Sequence, residues 1–377
     1  MSRPLFIAAL LVTATIGDKM TRNHHPRLRV IKPKMQERCQ VLELRGGASG
    51  EFTPIAAAIG GCFVGVASGV SMLSSARVAG NSGALKAFVS SNFDDWTLSY
   101  LVGLVLAGAA MAQYLPSVLE PAPGMDSLAA ISKMAAGGLA VGVGTKWANG
   151  CTSGHGLCGL SRLSLRSFAA VATFLASASA TRTMETGLSF SWLPMLPTTA
   201  DVLRAAGRLA LGFGAALFIV RCILVKLLPA MRDVLYGLWS GSLFGVGLVV
   251  GGMARPSTVM GALSPATLDL TLWTLFVTGL AVTFAIYRIA EAREVTAARA
   301  DARSCNISSD LLVGSALFGV GWALTGICPG PLVVGIGASP VAPGLLVYLA
   351  SFTIGVRLFK DSTPLFLRRI RGGNLPS

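Results

Sequence analysis

Nine separate stretches of this chain are long and apolar enough to cross a bilayer. They cover residues 54–74, 98–115, 127–148, 164–180, 206–228, 234–254, 268–288, 311–327 and 340–359. A helix needs about 20 apolar residues to cross the hydrocarbon core. In lipid every backbone N–H and C=O must be satisfied inside the protein, so a chain with such runs has to be helical there. Composition supports this reading. Charged residues make up 13% of the chain, whereas soluble domains carry about 25%. Glycine occurs 44 times, as suits membrane helices whose backbones pack closely. The expected fold is an all-α polytopic membrane protein of about nine transmembrane helices, with short re-entrant half-helices.

The chain divides into four parts. Residues 1–50 read as a signal or targeting leader, disordered or cleaved. Residues 4–16 are apolar but too short to span, and a basic stretch runs from Lys19 to Arg45. A plain disordered cytosolic tail is the alternative. Residues 51–205 form an N-terminal transmembrane repeat, residues 206–360 a C-terminal one, and residues 361–377 a basic tail. The net charge of +14 sits in loops and ends. Lys and Arg concentrate in the loops after the first, third, fifth and seventh spans and in the tail. That puts the C-terminus in the cytosol or an organellar equivalent and the N-terminus outside. Basic and aromatic residues are not interleaved on a polar surface, so nucleic acid is not a partner. The sequon at Asn306 falls on the cytosolic side and is expected to be unused. Seven cysteines, several inside apolar runs, argue for free thiols and against a disulfide framework.

The two halves repeat. Gly142-Val143-Gly144 precedes Cys151 by the same interval that separates Gly319-Val320-Gly321 from Cys328, an offset of 177. A weaker match pairs Phe63, Met72, Val78 and Gly80 with Phe244, Met253, Val259 and Gly261 at offset 181. Matching spans are five apart, and that odd separation makes the repeats inverted. Many transporters use this plan to place a site at mid-membrane.

Chemistry concentrates where the spans break. Asn149 to Leu160 reads NGCTSGHGLCGL, too rich in glycine for a stable helix interior. Ser161 to Ser167 then reads as a serine-capped helix start. Thr325 to Pro331 reads TGICPGP, with Pro329 and Pro331 suited to the first turn of a short helix. Paired breaks also close the first span, at Arg77 to Gly83, and the sixth, at Gly251 to Ser257. Backbone N–H groups at such breaks can hold an anion. The candidate substrate-binding residues are Cys151, Cys328, Cys158, Gly150, Ser153, Gly154, His155, Gly326, Gly330 and Met253. Cys62 and Cys222 read as packing residues. A metal site on Cys151, His155 and Cys158 lacks a fourth ligand and an equivalent in the other half, so no metal or other cofactor is expected. His155 reads as a donor to backbone or to an anion. Lys146 and Arg221, inside apolar runs, read either as functional charges or as snorkelling ones. No ion site or buried carboxylate stands out in the spans.

Gly150 to Gly156, continuing through Cys158 to Ser164, closely resembles the signature of the YeeE/YedE sulphur-transport family. Arg77 to Gly83 resembles that family's first-span ending. Phe244 to Gly261 and Phe318 to Pro331 resemble a companion half-protein, so the chain looks like a fusion of the two. The resemblance covers residues 55–358. It implies thiosulfate or a related sulphur species as cargo, handled by Cys151 and Cys328 in a narrow pore, with Met253 where the family has a methionine. The expected function is therefore a non-enzymatic transporter of a small sulphur anion in a lipid bilayer, with a soluble sulphur carrier as a possible cytosolic partner. The competing reading is a membrane enzyme that transfers sulphur through a Cys151 persulfide. It would need a lowered thiol pKa and a base, for which only His155 is near in sequence.

Overall fold

A computed structural model describes residues 53–121, 125–187, 200–267, 269–295 and 307–358. The leader, the basic tail and Asn306 of the sequon lie outside the described residues. Within them the chain is helical and has no strand. Among the described residues, the helical elements before the linker are α1 (Pro54–Ser75), a short α2 (Asn81–Val89), α3 (Asp95–Tyr114) with a 3-10 turn after it (Pro116–Val118), α4 (Leu128–Ala148), a π-helical turn (Thr152–Gly159) and α5 (Leu165–Thr186). A linking helix follows, α6 (Ala200–Ile219), prolonged by a π-helical stretch, Val220–Leu224. Six more then occur: α7 (Arg232–Val250), a short α8 (Pro256–Leu263), α9 (Leu270–Ala292), α10 (Ser309–Thr325), a short α11 (Pro329–Ala338) and α12 (Pro343–Leu358). The order long, short, long, long, short, long thus occurs on both sides of α6.

All nine apolar stretches fall on helices. Among the described residues seven helical stretches are long and apolar enough to cross a membrane, and Pro343–Leu358 is apolar but shorter. Helix α5 is long enough, but its Ser, Thr and Arg side chains dilute its apolar character. The local sequence explains the boundaries. Asp94, Ser127, Ser164, Asp269 and Ser308 each cap a helix by accepting a backbone N–H. Helix α4 stops at Asn149 (φ 55°) and α10 at Gly326 (φ 68°), both left-handed. These two stops are 177 positions apart.

Helix directions follow from which residues meet. Gly137 of α4 faces Gly321 and Thr325 of α10, while Gly144 faces Gly314 and Phe318, so these helices run antiparallel. The close approach needs glycine: a Cβ on Gly144 would lie 2.4 Å from the Phe318 nitrogen. Helix α1 runs parallel to α9, with Gly61 against Leu275, Gly65 against Val282 and Gly69 against Ile286. The matching pair is α7 and α3, also parallel, with Gly237 against Trp96 and Gly245 against Ala107. Long helices of each half therefore pack on those of the other, with the π turn, α2 and α11 brought together between them.

Two expectations are corrected. The offset of 181 is not the structural register of the first and seventh helices. Val78 and Gly80 lie before α2, whereas Val259 and Gly261 lie inside α8. The short helices start 175 positions apart, so the match at offset 181 does not follow the fold. The glycine-rich stretch is also not a loop. Residues 152–159 form a π-helical turn, because glycine there allows tertiary contact that outweighs poor propensity. A Cβ on Gly156 would press on the Phe276 ring at 2.8 Å, and one on Gly159 would lie 2.2 Å from Ser167 Oγ.

Candidate functional site

Cys151 and Cys328 occupy the same local position in the two halves. Each is extended (φ −144° and −120°) and each immediately precedes a short helical segment, the π turn and α11. Both are buried, at 1% and 2% exposure, and both thiols are free. The Cys151 Sγ lies 3.3 Å from Ser153 Oγ. The Cys328 Sγ lies 3.9 Å from the hydroxyl of Thr152, the residue next to Cys151. The thiols of the two halves therefore share one buried junction.

Asn81, the first residue of α2, joins this junction. Its N–H donates to Ser153 Oγ (3.1 Å), and its Oδ1 accepts from Tyr100 Oη (2.8 Å). Its amide lies over Gly330, where a Cβ would come within 2.4 Å of Asn81 Nδ2. The backbone around each cysteine is held in place. Tyr348 Oη donates to the Ile327 carbonyl at 2.7 Å. The Ala148 carbonyl, at the end of α4, accepts from His155 Nε2 (3.0 Å) and Arg166 Nη2 (2.9 Å). Because Nε2 donates to a carbonyl, Nδ1 accepts from Ser167 Oγ at 3.1 Å in the neutral tautomer. His155 thus ties the π turn to α4 and α5, and Gly150 gives its ring room, since a Cβ there would lie 2.5 Å away.

Cavities lie on two sides of the junction. One, of about 360 Å³, is lined by Gly150, Gly154, His155, Arg77, Arg162 and Arg166. Lys86 stands by it, donating to the Thr145 carbonyl (2.8 Å) and Asn149 Oδ1 (3.4 Å). Burial lowers its pKa to about 8, with Cys151 opposing and Lys146 and Arg166 adding to the fall. The other cavity, of about 40 Å³, is lined by Gly326, Ile327, Pro331, Pro256 and Glu120. Glu120 accepts the Ser257 N–H at the start of α8 (3.1 Å). One mouth is cationic and the other carries a carboxylate.

The structure brings together Cys151, Ser153, Cys328, Gly330 and the preceding Gly326. It places Gly150, Gly154 and His155 on the basic cavity. Cys158 lies apart, fully buried with Met72, Tyr287 and Ala290. Met253 lines a separate apolar cavity of about 40 Å³ that Thr152 also reaches. Cys151, His155 and Cys158 do not converge, and among the described residues no group of three His, Cys, Asp or Glu side chains could hold a metal. Cys62 is exposed on the outer face of α1, and Cys222 is half-buried. Cys62 is therefore not the buried packing residue expected, since a thiol is small and apolar enough to face lipid. Lys146 is half-buried and Arg221 exposed. A buried carboxylate does exist: Asp269, fully buried, caps α9 by accepting the Thr271 N–H at 2.8 Å. It escaped notice because capping puts it at a span's end. Asn81, Thr152, Tyr100 and Tyr348 were missed because their roles arise from contacts between distant segments.

The match to known proteins is direct. A family model described as sulphur transport matches residues 2–180, and one described as a family of unknown function (DUF6691) matches residues 232–370. A protein of Xylella fastidiosa (strain 9a5c) named "Probable transporter" is 34% identical over 125 residues, covering 33% of this chain and 90% of that protein. The chain belongs to the YeeE/YedE sulphur-transport family. A second "Probable transporter" of the same strain is 33% identical over 126 residues, covering 31% of this chain and 82% of its own length. The chain is accordingly an integral, multi-pass membrane protein of a transporter family.

Proposed function

We propose that the chain conducts thiosulfate, or a closely related sulphur anion, through a narrow pore whose central stations are Cys328 and Cys151. The observation that carries this reading is the shared junction, with Cys328 Sγ 3.9 Å from Thr152 and Cys151 Sγ 3.3 Å from Ser153. A thiol is a weak donor and weak acceptor. It can meet a soft sulphur atom without holding it too tightly to leave, as conduction requires. The N–H groups opening the π turn and α11, with the Asn81 amide, supply donors for the oxygen end. The halves act as inverted repeats, residues 51–205 and 206–360. The cavity with Arg77, Arg162 and Arg166 faces the cytosol and draws the anion inward. A soluble sulphur carrier could collect cargo there. The persulfide-enzyme reading finds less support, because both ring nitrogens of His155 are spent on Ala148 and Ser167.

The test is uptake of radiolabelled thiosulfate into liposomes containing the purified chain. Uptake should be saturable and should fall at least tenfold in Cys151→Ala and in Cys328→Ala, with Cys62→Ala unaffected. Absence of uptake by the native chain, or unchanged uptake in both variants, would overturn the reading.

A further inference from the structure

Helix α6 carries Arg204 and Arg208 one turn apart and therefore on one face. Both are exposed. The stretch Leu203–Leu227 is apolar enough to span a membrane. Arg208 thus lies inside it, about 8 Å past its first residue at 1.5 Å per residue. A guanidinium so near a span's end reaches the headgroup level, where an anionic group is its natural partner. Among the described residues no carboxylate bridges to Arg208.

Helix α6 is joined to the core at few points. The Trp239 indole N–H donates to the Phe213 carbonyl at 3.0 Å, and the two rings meet edge to face at 6.3 Å. Where α6 stands off from α3 and α7 it leaves a groove of about 810 Å³. Leu106, Met111, Phe213 and Val246 line its apolar length, and Arg204 and Arg208 line it where α6 begins. Tyr114, the last residue of α3, lies at that same end. The groove is cationic at one end and hydrocarbon along the rest, the shape of an amphiphile with an anionic head.

We propose that this groove binds an anionic phospholipid, its phosphate on Arg204 and Arg208 and an acyl chain along α3 and α7. An arginine pair can hold a phosphate through charge-assisted, bidentate hydrogen bonds. A free phosphate would meet the arginines but leave the apolar length unfilled. A second copy of the chain would have to bring a carboxylate to Arg208 from its own membrane face. The lipid fastens the linking helix, and with it the joint between the halves, to the core. The site is separate from the thiol junction and does not depend on the identity of the transported anion.

The full chain, stripped of lipid by detergent exchange, is given phosphatidylglycerol, phosphatidylcholine or inorganic phosphate. Retained lipid is read by native mass spectrometry and stability by thermal unfolding. The native chain should keep one phosphatidylglycerol and unfold several degrees higher, with phosphatidylcholine held more weakly and phosphate without effect. R204Q/R208Q should lose retention at least tenfold, and R204K/R208K should keep most of it. Leu106→Trp, which fills the groove and leaves both arginines, should also shed the lipid and carries the test if the double variant fails to fold. Equal retention of the two lipids, retention unaffected by R204Q/R208Q, or a dimer in place of the lipid-bound monomer would overturn the proposal.

Discussion

Asp94 shows how one side chain on the predicted cytosolic side serves two ends. It accepts the Thr97 N–H at 2.9 Å and pairs with Arg77. Burial pushes its carboxyl up, but the Thr97 bonds and the Arg77 charge hold it below the usual carboxylate range. A carboxyl lowered on folding favours the fold above its unfolded pKa, and that contribution fades as pH falls below about 4. Asp94→Asn should cost about 1 kcal/mol at pH 7, most of it the weakened cap because the ion pair is solvent-screened. Thermal unfolding should show the gap narrowing near pH 3.5. Lys86, on the short helix α2, also has a lowered pKa, but there the shift disfavours the charged form and so costs stability at neutral pH. Its pKa falls from 10.5 to about 8, so between those values the unfolded chain binds a proton that the folded one has released. Stability should rise with pH across that window. Lys86→Met should remove the rise, as unfolding profiles would show. Cys151 and Cys328 were legible at this scale, because an identical glycine-to-cysteine interval in two halves is a pattern along the chain. Asn81 was not, since its amide matters only because α2 lies over Gly330.

At the scale of elements, the crossing of α4 and α10 holds the site in place, because both cysteines follow directly from the ends of these helices. Cβ atoms would lie 2.4 Å from Phe318 N at Gly144 and 2.4 Å from Ala148 N at Gly314. Gly144→Val should part the helices and lower the yield of folded protein several-fold by detergent size-exclusion chromatography. Gly207 on α6 has nothing within 4 Å of its would-be Cβ. Gly207→Ala should be neutral or stabilising by about 0.5–1 kcal/mol, since glycine costs that much inside a helix. The breaks after α1, α4, α7 and α10 were legible from Gly and Pro. The π turn was not, because propensity alone argues against a helix with glycines at 154, 156 and 159. Close packing on Phe276 and Ser167 decides in its favour.

At the scale of the molecule, the parallel pairs α1 with α9 and α3 with α7, and the antiparallel α4 with α10, knit the halves into one body. The basic cavity and the Glu120 cavity open on opposite sides of the junction. If the C-terminus is cytosolic, as the distribution of Lys and Arg predicts, Asn92 falls on the cytosolic side and Asp126 on the other. In a background lacking other accessible cysteines, Asn92→Cys should react with an impermeant maleimide only in inside-out vesicles. Asp126→Cys should react only in right-side-out ones, and the reverse result would invert the assigned topology. The apolar runs alone determined that the chain is helical and membrane-embedded, since backbone in lipid has no other way to satisfy its polar groups. Spacing alone also identified the two cysteines as equivalents. Only the tertiary structure decided which segments meet: that Thr152 links the two thiols, that His155 is spent on structure, that Cys158 and Met253 stand apart, and that α6 leaves a groove. Those outcomes depend on how close helices can approach at particular glycines, and nothing in the local order of residues records that distance.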